Sequence, residues 1–331
     1  MQKVLNNLSF FGIIKKIIKS NRSGFILDYI KLISHYSDNY SSKIFFKRLT
    51  SATNDFYLMY IYEYDKELEH FSDTFLKYLP FYIRNEDYFA ALDETNDIDN
   101  LLVSRSKSLR RNSTIIPQRT IATDGIYGEL FLDFYLRIVK RRNAILTYAN
   151  KRSFDSNYET TGPDNVVYYV DSDGKINICI CEAKFVGGAA GAKNCLVEDI
   201  VGNSTKVGHV TKDYLNDYFQ FIVEKGSNIS DSDKNIFRPF LSELNSQLDS
   251  GNDFLSVITK HNICVNFVFF AIFDSTKKDP NKLNDHYEEI YENCKTNVGK
   301  LGITNYKIEI VFIPTTNNTM TIKQAMEKAY E

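Results

Sequence analysis

Hydrophobic and polar positions follow two rhythms along this chain, and the change falls near residue 120. Upstream, helical spacing dominates. Phe10, Phe11, Ile13, Ile14, Ile17 and Ile18 fall on one side of a helix over 10–19, and similar patterns cover 24–36 and 66–78. A strand-like run at 56–62 interrupts them. An acidic stretch at 85–100 then gives way to a basic one at 104–119, which reads as a linker or exposed loop. Downstream, helix and strand alternate. Asp124 can cap a helix that runs through Glu129 to about Lys140. Strands are predicted at 144–148, 165–170 and 175–185, with a turn signal at Asp171-Ser172-Asp173-Gly174 between the last two. A Gly/Ala loop at 187–191, read as mobile, leads to helices at 194–200 and 211–224. Residues 263–273 are almost continuously apolar, as in a strand buried on both faces. A helix over 281–298 and a strand over 306–313 close the order.

That order implies an α/β fold. The first strands form an antiparallel meander and the later ones join through helices, giving a mixed sheet flanked by helices. The region before it reads as mainly helical. The boundary is set between 1–115, a candidate docking surface for a partner, and 116–331, the chemical unit.

Composition changes this picture little. The formal net charge is −2, so any nucleic-acid contact must come from a local patch. The cysteines number five and sit in apolar or helical contexts, which reads as reduced thiols in a cytoplasmic protein. Cys179 and Cys181 lack the further Cys or His that a zinc site needs. No run approaches the length of a membrane span, and residues 8–18 lack the features of a signal peptide. The histidines are scattered, with no metal-ligand pair among them.

Chemistry concentrates at Gly162-Pro163-Asp164 and Cys181-Glu182-Ala183-Lys184. Side chains alternate along a strand, so Glu182 and Lys184 share one face and Cys179, Cys181 and Ala183 the other. Two opposite charges ending an apolar strand suggest a site. A three-residue hairpin loop of Ser172, Asp173 and Gly174 sets Asp171 against Lys175 and Asp164 against Glu182; a two-residue loop would shift the register by one. Opposed side chains lie within about 5 Å, and two carboxylates that close need a cation between them. Oxygen ligands suit Mg²⁺ or Mn²⁺. Asp164 and Glu182 can hold the ion, Lys184 can orient water or meet developing charge, and Glu129 is a plausible third carboxylate. Arg137, Lys140, Arg141, Arg142, Lys151 and Arg152 surround the first strand of this unit with no acid between them. They form either a solvated face or a track for a DNA backbone.

A helix Glu, a Gly-Pro-Asp and a Glu-x-Lys at a strand end resemble the PD-(D/E)XK nuclease superfamily over roughly residues 120–315. That resemblance implies a restriction-endonuclease-like core and metal-dependent hydrolysis of DNA by Glu129, Asp164, Glu182 and Lys184. The fuller layout includes Thr123-Asp124-Gly125-Ile126-Tyr127-Gly128-Glu129 and Cys181-Glu182-Ala183-Lys184-Phe185. It resembles the nuclease-effector subunit (HamA type) of Hachiman anti-phage defence systems. That implies a bacterial effector restrained by a superfamily 2 helicase (HamB type). Two other readings stay open at this point: an inactive nucleic-acid-binding or regulatory protein, and an autonomous restriction endonuclease.

Overall fold

The computed structural model describes residues 44–51, 54–61, 77–78, 81–82, 102, 125–146 and, with short interruptions, 164–315. Its strands are β1 (Ile44–Ser51), β2 (Asn54–Ile61), β3 (Asn143–Leu146), β4 (Asn165–Val170), β5 (Ile176–Val186), β6 (Cys264–Asp274) and β7 (Tyr306–Thr315). They form one sheet in the order β1-β2-β7-β6-β5-β4-β3. β3, β4 and β5 make the expected antiparallel meander, while β5, β6 and β7 run parallel. The mixed four-strand centre, β4-β5-β6-β7, carries the site.

The helices are α1 (Gly125–Phe134), α2 (Ala189–Val201), α3 (Lys212–Glu224), α4 (Lys234–Asp249), α5 (Leu255–Lys260) and α6 (Pro280–Leu301). Strand alternation sorts the packing. Ile178, Ile180, Phe267, Phe269, Ile308 and Ile310 point to one side and meet buried residues of α2 to α6, such as Leu196, Phe219, Phe240, Val257 and Ile290. Cys179, Cys181, Ala183, Val268, Phe270 and Val311 are buried on the other side, where α1 packs. Tyr135 meets Phe270 there, and a methyl on Gly128 would touch the Lys184–Phe185 backbone at 3.4 Å. β6 sits between two parallel neighbours and is buried from Cys264 to Phe273, which explains its unbroken apolar sequence. Each fully buried Ile or Phe there contributes about 1.5–3 kcal/mol.

Several expectations need correction. The helix expected to reach Lys140 is α-helical only to Phe134. It continues as a π-helical turn, Tyr135–Val139, closed by Lys140 N–H on Tyr135 O at 2.9 Å. The Gly/Ala loop is not a loop throughout: Gly188 precedes the first turn of α2 and Ala189 to Gly191 lie in it. α4 and α5 have no counterpart in the elements expected from sequence. Pro239 lies inside α4 and reads as a breaker, yet it falls in the second turn while Phe237, Phe240 and Leu244 anchor the helix. In the N-terminal region the described residues include a β1–β2 hairpin, and β2 pairs in parallel with β7. Residues on both sides of the 115/116 boundary thus share one sheet. The helices expected at 10–19 and 24–36 lie outside the described residues. Among the described residues, no helix is long and apolar enough to cross a membrane.

Candidate metal centre

The β4–β5 hairpin sets the site. Its turn is the three-residue one: Asp171 N–H donates to Lys175 O and Gly174 N–H to Asp171 O, each at 3.0 Å. Gly174 takes φ +76°, a left-handed conformation that glycine adopts at least cost. Asp171 accepts backbone N–H bonds from Lys175 at 2.9 Å and Asp173 at 3.0 Å. The bond from Lys175, chief among these, holds its carboxyl below the usual range. Pairing runs from Val170↔Ile176 to Asn165↔Cys181. One step further brings Asp164 level with Glu182. Asp164 N–H donates to Cys181 O at 3.1 Å, and Ala183 N–H donates to the Asp164 carboxylate at 2.6 Å.

Glu182 and Lys184 point to the side covered by α2 and α3. Glu182 is buried, 4 % exposed. Its Oε1 lies 2.5 Å from His209 Nδ1 and accepts from the Tyr218 hydroxyl at 3.3 Å. Lys184 Nζ lies 2.6 Å from Asp199 Oδ2 on α2. Glu182, Asp199 and His209 are all buried and offer ligand atoms within 4.8 Å of one another. Electrostatics ties Asp164 to the same place. Burial would lower the Lys184 pKa, but the charges of Asp199, Glu182 and Asp164 outweigh it and hold the ammonium above its usual range. Burial first, then the same negative charge led by Glu182, raises the phenols of Tyr214 and Tyr218. Three carboxylates, one ammonium and an imidazole therefore converge here. The ligand atoms of Glu182, Asp199 and His209 at chelating distance fit a divalent cation.

The other sequence-predicted residues are placed differently. Glu129 stands on α1, next to Gly128 and its contact with β5. Its Oε2 accepts from Tyr82 at 3.3 Å, and the group of three ligand residues contains neither Glu129 nor Asp164. The basic run is not one surface. Arg137 is buried and bonds Asp133 at 3.2 Å and Phe81 O at 3.1 Å. Arg142 is buried against Glu309 at 2.5 Å, and Lys140 lies 3.4 Å from the same carboxylate. Arg137 and Arg142 answer internal acids one helical turn away or distant in sequence. Arg141 is exposed. Lys151 and Arg152 lie outside the described residues.

Sequence reasoning missed Asp199 and His209. Asp199 had a signal: it falls at i+7 and i+3 from Ala192 and Leu196, on the buried face of α2, where a carboxylate needs a reason. His209 had none locally. Its partner is 27 residues away, which corrects the expectation that no histidine joins a ligand group. The reduced-thiol reading of the cysteines agrees with five free thiols, four of them buried. Burial pushes Cys179 up to about 11, so it is an inert core residue.

A family model, HamA, matches residues 34–329. No curated protein and no solved structure matches the chain.

Proposed function

The chain belongs to the HamA family, a component of the Hachiman defence system, and from that premise we propose that it is a divalent-cation-dependent nuclease that hydrolyses DNA phosphodiester bonds. The observation that carries this reading is the buried pair Glu182 and Asp199, with Asp164 beside them, gathered around Lys184 and within reach of His209. Such a group is costly to fold around and is balanced by a cation, Mg²⁺ or Mn²⁺. The bound cation would polarise the phosphoryl oxygen and favour deprotonation of water.

The chain's own groups then divide the work. Asp164 and Glu182 hold the cation from adjacent strands, and Asp199 completes the set from α2. Lys184, paired with Asp199 at 2.6 Å, acts as an electrostatic group, donating hydrogen bonds to the phosphoryl oxygens as charge develops. Tyr218 fixes Glu182 by donating to it. Glu129, on α1, is a further carboxylate of the catalytic set. Arg141, with Lys151 and Arg152, contacts the DNA backbone. Residues 1–115 carry the docking surface for a partner helicase of the HamB type, which restrains the nuclease.

Plasmid cleavage with Mg²⁺ tests the reading, with wild type compared against Glu182→Ala and Lys184→Ala, each alone and with the helicase encoded beside it. Cleavage by the wild type and its loss by at least ~100-fold in both variants is the expected result. Cleavage that survives both substitutions overturns the site. Absence of cleavage in every condition, together with no heat of Mn²⁺ binding, favours a regulatory protein.

A further inference from the structure

A short return of the chain after α2 brings a nitrogen to the acidic group. Gly202, with φ +78° and ψ 177°, ends the helix and bridges to Val207. The next residues lie back along the last turn of α2. His209 N–H donates to Asp199 O at 2.5 Å, and Val210 N–H to Ile200 O at 3.3 Å. Just before them Gly208 is pressed on backbone: a Cβ there would stand 2.5 Å from Ile200 O and 2.6 Å from Gly202 N. Only glycine permits that approach without a shift.

The same segment is held from the other side. Thr211 Oγ1 donates to Gly208 O at 2.9 Å and accepts from Tyr214 N–H at 3.4 Å, at the start of α3. The Tyr214 ring stacks on the His209 ring with centroids 4.0 Å apart and planes 4° from parallel. The imidazole is thus clamped between backbone pairing and a coplanar ring, with Nδ1 2.5 Å from Glu182 Oε1 and a ring nitrogen within chelating range of Glu182 and Asp199.

We infer that His209 Nδ1 is a ligand of the cation together with Glu182 and Asp199, that Gly208 is the residue that positions it, and that the site in consequence prefers Mn²⁺ and Co²⁺ to Mg²⁺ and Ca²⁺. Magnesium and calcium favour all-oxygen shells, whereas an imidazole raises affinity for first-row transition ions. The sequence motif supplies only carboxylates, so the nitrogen changes the ion preference that the motif implies. The inference rests on the reading that this site holds a cation, and not on the reaction the cation serves.

Two measurements on the full-length protein test it. The first is calorimetric titration with Mn²⁺, Co²⁺ and Mg²⁺ separately. The second is pulsed electron spin-echo spectroscopy of bound Mn²⁺, which detects a directly coordinated imidazole nitrogen. In the wild type, Mn²⁺ is expected to bind at least ~10-fold more tightly than Mg²⁺ and to show nitrogen modulation. In His209→Gln the modulation disappears and Mn²⁺ affinity falls by roughly 10- to 100-fold, while Mg²⁺ affinity changes much less. Gly208→Ala moves both readouts the same way with the imidazole still present, an effect that loss of stability alone does not produce. If His209→Gln fails to fold, the wild-type spectrum decides. Mn²⁺ bound in a Glu182-dependent manner without nitrogen modulation overturns the inference and leaves the cation site standing. No Mn²⁺ binding at all overturns both.

Discussion

The sheet buries charge on both faces, and the two clusters obey different arithmetic. Under α1, each carboxylate meets a cation or several donors. Asp133 is bonded by Arg137, Tyr78 and Asn165. Glu309 is bonded by Arg142 and Tyr135 and lies near Lys140. Under α2 and α3 three acids gather near one lysine: Asp199 pairs with Lys184, Glu182 meets Tyr218 and His209, and Asp164 accepts from Ala183 N–H. On the proposed function the first cluster fixes structure and the second is shaped for a cation. Burial alone does not tell the clusters apart, since Glu182 and Glu309 are both 4 % exposed; the proposed function predicts that they respond differently to substitution and to a cation.

The largest effect should come from breaking the balanced face. Arg142→Ala leaves Glu309 buried without its closest cation, and should cost about 3–5 kcal/mol of stability, read from chemical denaturation. A double change, Arg142→Met with Glu309→Leu, should recover most of that loss. Acid titration sharpens the point. Burial opposes ionisation of Glu309, but the charge of Arg142, then of Lys140, holds its pKa below the usual carboxylate value. A carboxylate depressed in the folded state contributes stability that is complete above its unfolded pKa. That contribution is lost as pH falls through the folded pKa. Stability from this pair should therefore be flat near neutrality and drop below about pH 4.5. Glu309→Gln should flatten that acid slope; an unchanged slope would place the acid sensitivity elsewhere.

The unbalanced face should respond to a ligand and not to repair. A divalent cation at 100 times its Kd should stabilise the wild type by about 2.7 kcal/mol, measured as a rise in melting temperature. Glu182→Gln should abolish that rise. In chelator, the same variant should be more stable than the wild type by about 1 kcal/mol, since it removes one of the crowded charges and keeps a partner for Tyr218. A Glu182→Gln protein that is much less stable without metal would put Glu182 in the same class as Glu309.

Much of this was legible in the chain, for identifiable reasons. The meander and the Asp164–Glu182 register depend on short-range turn chemistry and strand alternation, and Asp171 to Gly174 spells out its turn in full. The candidate site was half legible. Glu182 and Lys184 stand out as charges closing an apolar strand. Asp199 shows only as an acid on the buried face of α2, and His209 meets Glu182 through the return over α2, a tertiary contact with no local signature. The basic run misled for the same reason. Arg142 has no acid near it in sequence, but β7 carries Glu309 to it across 167 residues. Arg137 does have Asp133 one turn away, yet burial turns that ordinary helical pair into core.

The smallest expected effect tests what remains of the proposed DNA track. Arg141 is exposed and follows the π-helical turn with φ 52°, in the left-handed region. Alanine tolerates that conformation no better and no worse than arginine, so Arg141→Ala should leave stability within about 0.5 kcal/mol. A change in DNA binding can then be assigned to charge, which a double change of Arg141 and Arg142 could not achieve because Arg142 supports the fold. Loss of one phosphate contact should weaken binding to all sequences alike and reduce the slope of log affinity against log salt by about one. Filter binding over a range of salt concentrations reads that slope directly. An unchanged slope would confine the nucleic-acid contacts to the metal centre and to residues other than Arg141, and would leave the basic run with the structural role its buried members already have.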